Sequence, residues 1–121
     1  MLKTSIFLLA CAGFSASAFA EAPKQSNGKW VDEDGHTLYV FDKDTVPGKS
    51  ACDAGCSANW PPAIADAVDK AGADWSFVQT ADGKKQWAYK GHPLYRFVMD
   101  KKAGDANGDG KMNGMWHTAK P

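Results

Sequence analysis

An excess of charge of either sign is missing from this chain: its 14 lysines and arginines match its 14 aspartates and glutamates. Near-neutrality removes the electrostatic case for nucleic acid, and no basic run suggests adhesion to a membrane surface. Histidine and cysteine are both scarce, at three residues each. No Ser/His/Asp order, phosphate-cradling glycine loop or nucleotide fingerprint is present, so the expectation is a protein that is not an enzyme. Long apolar runs are absent except near the start.

That one run reads as a secretory leader over residues 1–20. Lys3 supplies a positive end, Ile6 to Phe14 an apolar stretch too short to span a bilayer, and Ala18-Phe19-Ala20 a small-x-small cleavage pattern before Glu21. Leu8-Leu9-Ala10-Cys11 resembles a lipobox and offers lipid anchoring through Cys11 as the less favoured alternative. Cleavage after Ala20 takes Lys3 away and moves the net charge from 0 to −1. The expected product has no transmembrane segment and is periplasmic or secreted. Loss of Cys11 leaves Cys52 and Cys56, and an even pair in an oxidising compartment defaults to a disulfide closing a short loop. A redox or metal role for the pair fits less well, because the spacing is C-x-x-x-C with Ser57 following.

What the chain does have is a repeat. Gly35-His36-Thr37-Leu38-Tyr39-Val40-Phe41-Asp42-Lys43-Asp44 and Gly91-His92-Pro93-Leu94-Tyr95-Arg96-Phe97-Val98-Met99-Asp100 both spell G-H-x-L-Y-x-F-x-x-D. So dense a match in a short chain means that one structural unit is used twice. Residues 21–28 read as a flexible leader and 29–121 as a single domain, with repeats over about 29–62 and 86–117. Alternation of aromatic and β-branched residues predicts a first hairpin from Trp30 and from Thr37 to Phe41. Trp75 to Met99 reads as a three-stranded meander, with Asp82-Gly83 as its first turn, and Met115 to Ala119 as a closing strand. Ile64, Ala67, Val68 and Ala71 stand at helical spacing, so a short helix is expected over 63–71. The fold class is therefore mainly β: a small antiparallel domain of two related, hairpin-containing halves.

Tyr39-x-Phe41-x-x-Asp44, Tyr95-x-Phe97-x-x-Asp100, Cys52-x-x-x-Cys56, Trp60-Pro61-Pro62, Gln86 to Gly91 and Trp116-His117 occur in that order. In this the chain resembles the bacterial secreted repeats of unknown function, also described as predicted lipoproteins with a Y-x-[FWY]-x-x-D motif. The resemblance spans the whole mature domain. It implies an extracytoplasmic location and a paired repeat, and brings no reaction with it.

Two metal sites can be drawn from the residues. His36 and His92 occupy equivalent repeat positions, and with Met112, Met115 and His117 they would form a soft copper site if the fold brings them together. Asp105, Asn107 and Asp109 reproduce the first half of an EF-hand calcium loop, but Trp116 stands where the bidentate glutamate belongs. Asp44 and Asp100 read as strand-end caps accepting backbone N–H groups. The aromatic residues read mainly as core, with stacking on a glycan or clasping of a peptide as the alternative. The function expected is a binding or interaction module of unknown ligand, with a glycan, a peptide or an envelope protein as the candidate partners. Copper handling or electron transfer is the runner-up, and a structural envelope component the third reading.

Overall fold

A computed structural model describes residues 22–66 and 69–121; the expected leader, Cys11, Ala67 and Val68 lie outside them. In chain order the elements are β1 (Lys24–Ser26), β2 (Lys29–Val31), β3 (Tyr39–Phe41), α1 (Ala54–Ser57), β4 (Ile64–Ala65), β5 (Trp75–Gln79), β6 (Lys85–Tyr89), β7 (His92–Pro93), α2 (Lys111–Gly114) and β8 (Trp116–Thr118). The domain is mainly β and all its strand pairs are antiparallel. β1 pairs with β2 and β3 with β8, while β6 is flanked by β5 on one side and by β4 and β7 along the other.

Several expectations change in detail. Residues 24–26 are not a loose leader: they form β1, because Asn27 and Gly28 both take positive φ and close a tight hairpin onto β2. The Asn-Gly pair is a strong hairpin signal that the polar composition around it masked. The first hairpin is correspondingly reduced. β2 pairs fully with β1 and touches the repeat strand only through the Val31–Thr37 bridge and the Leu38 N–H on Trp30 O. The helix expected over 63–71 is not found among the described residues, since Ile64–Ala65 is a strand on β6. Ala63 donates to Leu94 O and accepts from Trp87 N–H, and these long-range bonds override the alanine-rich helical preference. The meander is real, but its third strand is only His92–Pro93. Beyond it the chain leaves β6 and crosses to the other half.

That crossing is the centre of the fold. Tyr39 and Tyr95 exchange both backbone hydrogen bonds, N to O at 2.8 and 3.0 Å, so the two repeats meet at their own equivalent residues. Side chains alternate across this junction, as in any extended strand. Leu38 and Leu94 face a cluster with Trp30, Ala63, Ala65, Trp87 and Ala119; Tyr39, Phe41 and Tyr95 face another with Trp60 and Trp116.

The second cluster holds a continuous four-ring stack. Phe41 lies on Trp116 at 4.2 Å, Trp116 on Trp60 at 3.8 Å, and Trp60 on Phe97 at 4.3 Å between ring centroids. Trp60 and Trp116 stand 56 positions apart, the same offset that separates Tyr39 from Tyr95. The stack therefore obeys the approximate twofold relation of the halves, and each tryptophan packs on the phenylalanine of the opposite repeat. Gly108 runs against this stack; a Cβ there would sit 2.6 Å from Cη2 and 2.9 Å from Cζ3 of Trp60. Gly108→Ala is expected to destabilise the protein by about 1–3 kcal/mol through overpacking. Urea denaturation checks this, and an unchanged midpoint at unchanged slope would mean the stack yields freely.

Candidate functional site

The Y-x-F-x-x-D motif is wired across the two halves. The Tyr39 hydroxyl donates to Asp100 Oδ2 at 2.6 Å, and the Tyr95 hydroxyl to Asp44 Oδ2 at 2.7 Å. Each tyrosine thus bonds the aspartate of the other repeat. The expected cap is present too: Asp44 Oδ1 accepts the Ala51 N–H at 2.6 Å, and Asp100 Oδ1 accepts the Asn107 N–H at 2.9 Å, each seven residues on. Burial, reinforced by the hydrogen bond to the carboxylate, raises both phenol pKa values far above the ordinary tyrosine range. Asp44 is raised as well, because loss of solvent outweighs the Ala51 and Tyr95 bonds that lower it.

The two copies differ in what lies over the phenol. Tyr39 accepts the Gly108 backbone N–H at 3.2 Å, and loop 100–109 closes over it. The Thr37 hydroxyl donates to Asp105 O, and the turn glycine, Gly35 at φ +85°, is packed so closely that a Cβ would lie 2.9 Å from Ala103 Cβ. The equivalent Gly91 has open space around it. Over Tyr95, Ser50 Oγ stands 2.6 Å from the phenol oxygen. Since that phenol gives its only proton to Asp44, Ser50 must be the donor, and Ser50 in turn accepts from the Cys52 N–H at 3.1 Å. Gln86, fully buried, donates to Leu94 O at 2.8 Å.

Above this group opens a cleft of about 780 Å³. Its floor is Ser50, Gln86 and Tyr95, one wall is the cysteine loop with Cys52, Asp53 and Ala54, and the other is the end of the β5–β6 hairpin. The Cys52–Cys56 disulfide is formed and braces that first wall, as expected. Asp53 adds a local cap by accepting the Cys56 N–H, which fixes the single turn of α1. A second, smaller groove of about 400 Å³ lies between the Asp32–Asp34 turn, Pro61–Ile64 and Arg96–Val98.

The three histidines go to separate partners. His36 Nδ1 lies 2.7 Å from Arg96 Nη2, so it accepts a guanidinium proton. His117 Nε2 lies 2.9 Å from Asp42 Oδ2, and His92 is exposed. Met112 Sδ takes the Trp116 indole N–H at 3.3 Å, and Met115 packs beside the ring stack. Among the described residues the one group of three or more His, Cys, Asp or Glu side chains at ligand spacing is Asp32, Asp34 and His36. It takes in one histidine of the expected copper set. There Arg96 already bonds His36 and lies 3.3 Å from Asp32 Oδ2, so any cation would compete with a guanidinium.

The expected calcium residues are also occupied locally. Asp105 Oδ2 accepts from the Lys101 and Lys102 N–H groups, Asp109 Oδ1 accepts from Thr118 N–H, and the Asn107 side-chain amide donates to Asp100. They pin the loop to three different places. Trp60, Gln86 and Trp116 enter the sequence reading as motif residues of the resemblance and as aromatic core, with no place at a site, and Ser50 is not singled out. The shared 56-residue offset marks the tryptophans, and a polar residue at an inward position of an otherwise apolar strand marks Gln86; nothing local marks Ser50.

A family model described as a secreted repeat of unknown function matches residues 23–64 and 76–120, one stretch in each half. No curated protein and no solved structure matches the chain.

Proposed function

This chain belongs to the secreted repeats of unknown function, and from that premise we propose that it is an extracytoplasmic binding module whose ligand occupies the cleft over Tyr95. The observation that carries this reading is the broken symmetry of the repeat. The same Tyr–Asp pair is built twice, yet one copy is sealed by Gly108 and loop 100–109 while the other lies beneath a cleft of about 780 Å³, the size range of small-ligand sites. Both phenols are buried, Tyr39 at 0% and Tyr95 at 1% exposure, so the difference lies in the surface above them, where Ser50 separates Tyr95 from the larger cleft.

Binding fits the local chemistry better than catalysis. Ser50 directs its proton at a phenol oxygen and accepts an N–H, so no base withdraws that proton to make a nucleophile. The groups lining the floor are neutral donors and acceptors, suited to orienting a polar, uncharged ligand. The disulfide and the family support a location outside the cytoplasm, and no helix of the described residues is long and apolar enough to cross a membrane. In this reading the leader is cleaved and the protein is soluble in the periplasm or secreted.

Nitrogen-detected NMR with a panel of oligosaccharides and unstructured peptides tests the site. The side-chain amide of Gln86 and the backbone of Ser50 and Thr80 are expected to shift, and Ala54→Trp, which fills the cleft from an exposed position, is expected to abolish the response. Shifts elsewhere that persist in Ala54→Trp would place the ligand outside the cleft.

A further inference from the structure

We infer that the ligand is an extended polypeptide that adds as a strand to the outer edge of β5 and delivers a side chain into the adjoining cleft; the inference rests on the cleft reading and names its ligand class.

β5 is the outermost strand of the order β4-β6-β5. The phase of its hydrogen bonding is fixed at both ends, by Thr80 N–H on Lys84 O at 2.8 Å and Lys90 N–H on Asp74 O at 2.7 Å. In an antiparallel ladder bonded and non-bonded pairs alternate. Ser76 with Ala88 and Val78 with Gln86 are then the bonded pairs, and Phe77 and Gln79 turn both N–H and C=O away from β6. Among the described residues no group meets them. The Trp75 N–H, by contrast, is taken up by Gly72 O at 2.9 Å.

Folded proteins blunt such edges with charge, proline, brevity or a covering loop. The other edges here follow that rule. β1 has three residues, follows Pro23 and starts with Lys24; β4 and β7 have two residues each, and β7 ends in Pro93. β8 has three residues, with one outer acceptor and one outer donor covered, Trp116 O by Gly110 N–H and Thr118 N–H by Asp109. β5 is five residues, Trp-Ser-Phe-Val-Gln, with neither charge nor proline. Two unpaired donors and two unpaired acceptors at alternate positions are the complement of another backbone, not of a sugar or a metal.

The position of the cleft decides between a generic sticky edge and a built one. Gln79, Thr80, Ala81 and Asp82, the end of β5 and its turn, form the cleft wall. A strand laid along β5 therefore passes the cleft mouth, and one of its side chains reaches Ser50, Gln86 and Tyr95. At the other end Trp75 packs on Tyr89, and Phe77 on Trp87 with Lys85 Nζ 4.1 Å from its ring centroid, so only the remaining half-exposed edges of these rings face the same strand. Neither β5 nor the cleft floor carries a charge, and the exposed Lys49, Asp53 and Asp82 around the cleft are of both signs, so the peptide it fits has no net charge and alternates β-branched with polar residues.

The test is amide hydrogen exchange on the whole folded protein with a panel of seven-residue peptides alternating Val or Thr with Ser or Gln. Exchange at Phe77 and Gln79 is expected to slow about tenfold with peptide at ten times its Kd. A peptide N-methylated on the amides facing β5 is expected to lose that protection, as is Gln79→Pro, which removes an outward N–H and leaves the ladder to β6 intact. The N-methylated peptide acts on wild-type protein, so the result stands even if Gln79→Pro folds poorly. Shifts at Gln86 and Ser50 without protection at Phe77 and Gln79 overturn the strand-addition inference and leave the cleft reading standing. No response at either place overturns both. Protection that grows with protein concentration in the absence of peptide, with doubled mass, overturns the inference in favour of pairing with a second copy.

Discussion

Trp116→Ala is expected to lower the unfolding free energy by about 3–5 kcal/mol, the usual cost of truncating a buried large aromatic residue to alanine. Trp116 is fully buried between Phe41 and Trp60, with Tyr95 edge-on at 5.1 Å. Removing the indole empties the middle of the stack and leaves Met112 Sδ without its donor. Trp60→Ala removes the equivalent ring, with Tyr39 edge-on at 5.3 Å, and is expected to cost a similar amount. Because the two rings touch, the double variant should lose less than the sum of the singles. Denaturant titration followed by circular dichroism gives all three values. Single variants within about 0.5 kcal/mol of wild type, the range of ordinary surface substitutions, would show that the stack is not a major contributor to stability.

Above about pH 10, where a free tyrosine ionises, the fold is expected to lose stability steeply. Both phenols are raised in the folded state, by burial first and by the partner carboxylate second. The sign follows from linkage. Below the unfolded value both states hold the neutral phenol and nothing is lost. Above it the unfolded chain releases protons that the folded chain retains, so stability falls as pH rises towards the folded value. Two such groups act together, one in each half. Tyr39→Phe and Tyr95→Phe should each flatten the alkaline limb of a plot of melting temperature against pH, and the double variant should flatten it further. At neutral pH Tyr39→Phe carries its own penalty, since Asp100 is nine-tenths buried and loses a 2.6 Å donor. An alkaline limb unchanged by either substitution would mean that these phenols are not the groups responsible.

The interlocking of the halves explains why both effects are large. Ala63 of the first half bonds Leu94 and Trp87 of the second, and Ala119 of the second half bonds Leu38 and Trp30 of the first. Each repeat ends inside the other. A perturbation of one tyrosine, aspartate or tryptophan is therefore felt across the junction, as expected where a single repeat cannot bury its own apolar face.

Much of the fold was legible in local pattern. The duplicated ten-residue segment, the alternation of Trp87 and Tyr89, the Asp82-Gly83 turn and the cysteine pair are signals carried by neighbouring residues, and each corresponds to an element of the structure. The errors came where distant partners outvoted local preference. The alanine-rich stretch from Ala63 became a strand because Leu94 and Trp87 take up its backbone groups. His36 and His92 occupy equivalent repeat positions, yet Arg96 bonds His36 while His92 is exposed.

The sequence alone determined that one unit is used twice, that its strands are antiparallel and mainly β, that Cys52 and Cys56 pair, and that each aspartate caps a turn. Those follow from periodicity, turn chemistry and short spacing, which act within a few residues. Only the tertiary structure decided that each tyrosine bonds the aspartate of the other repeat, that Trp60 and Trp116 stack, and that the two copies are not equivalent. The last point rests on Gly108 sealing Tyr39 while Ser50 and an open cleft lie over Tyr95. These contacts join residues 40 to 70 positions apart, and no local pattern specifies which distant group closes over which phenol.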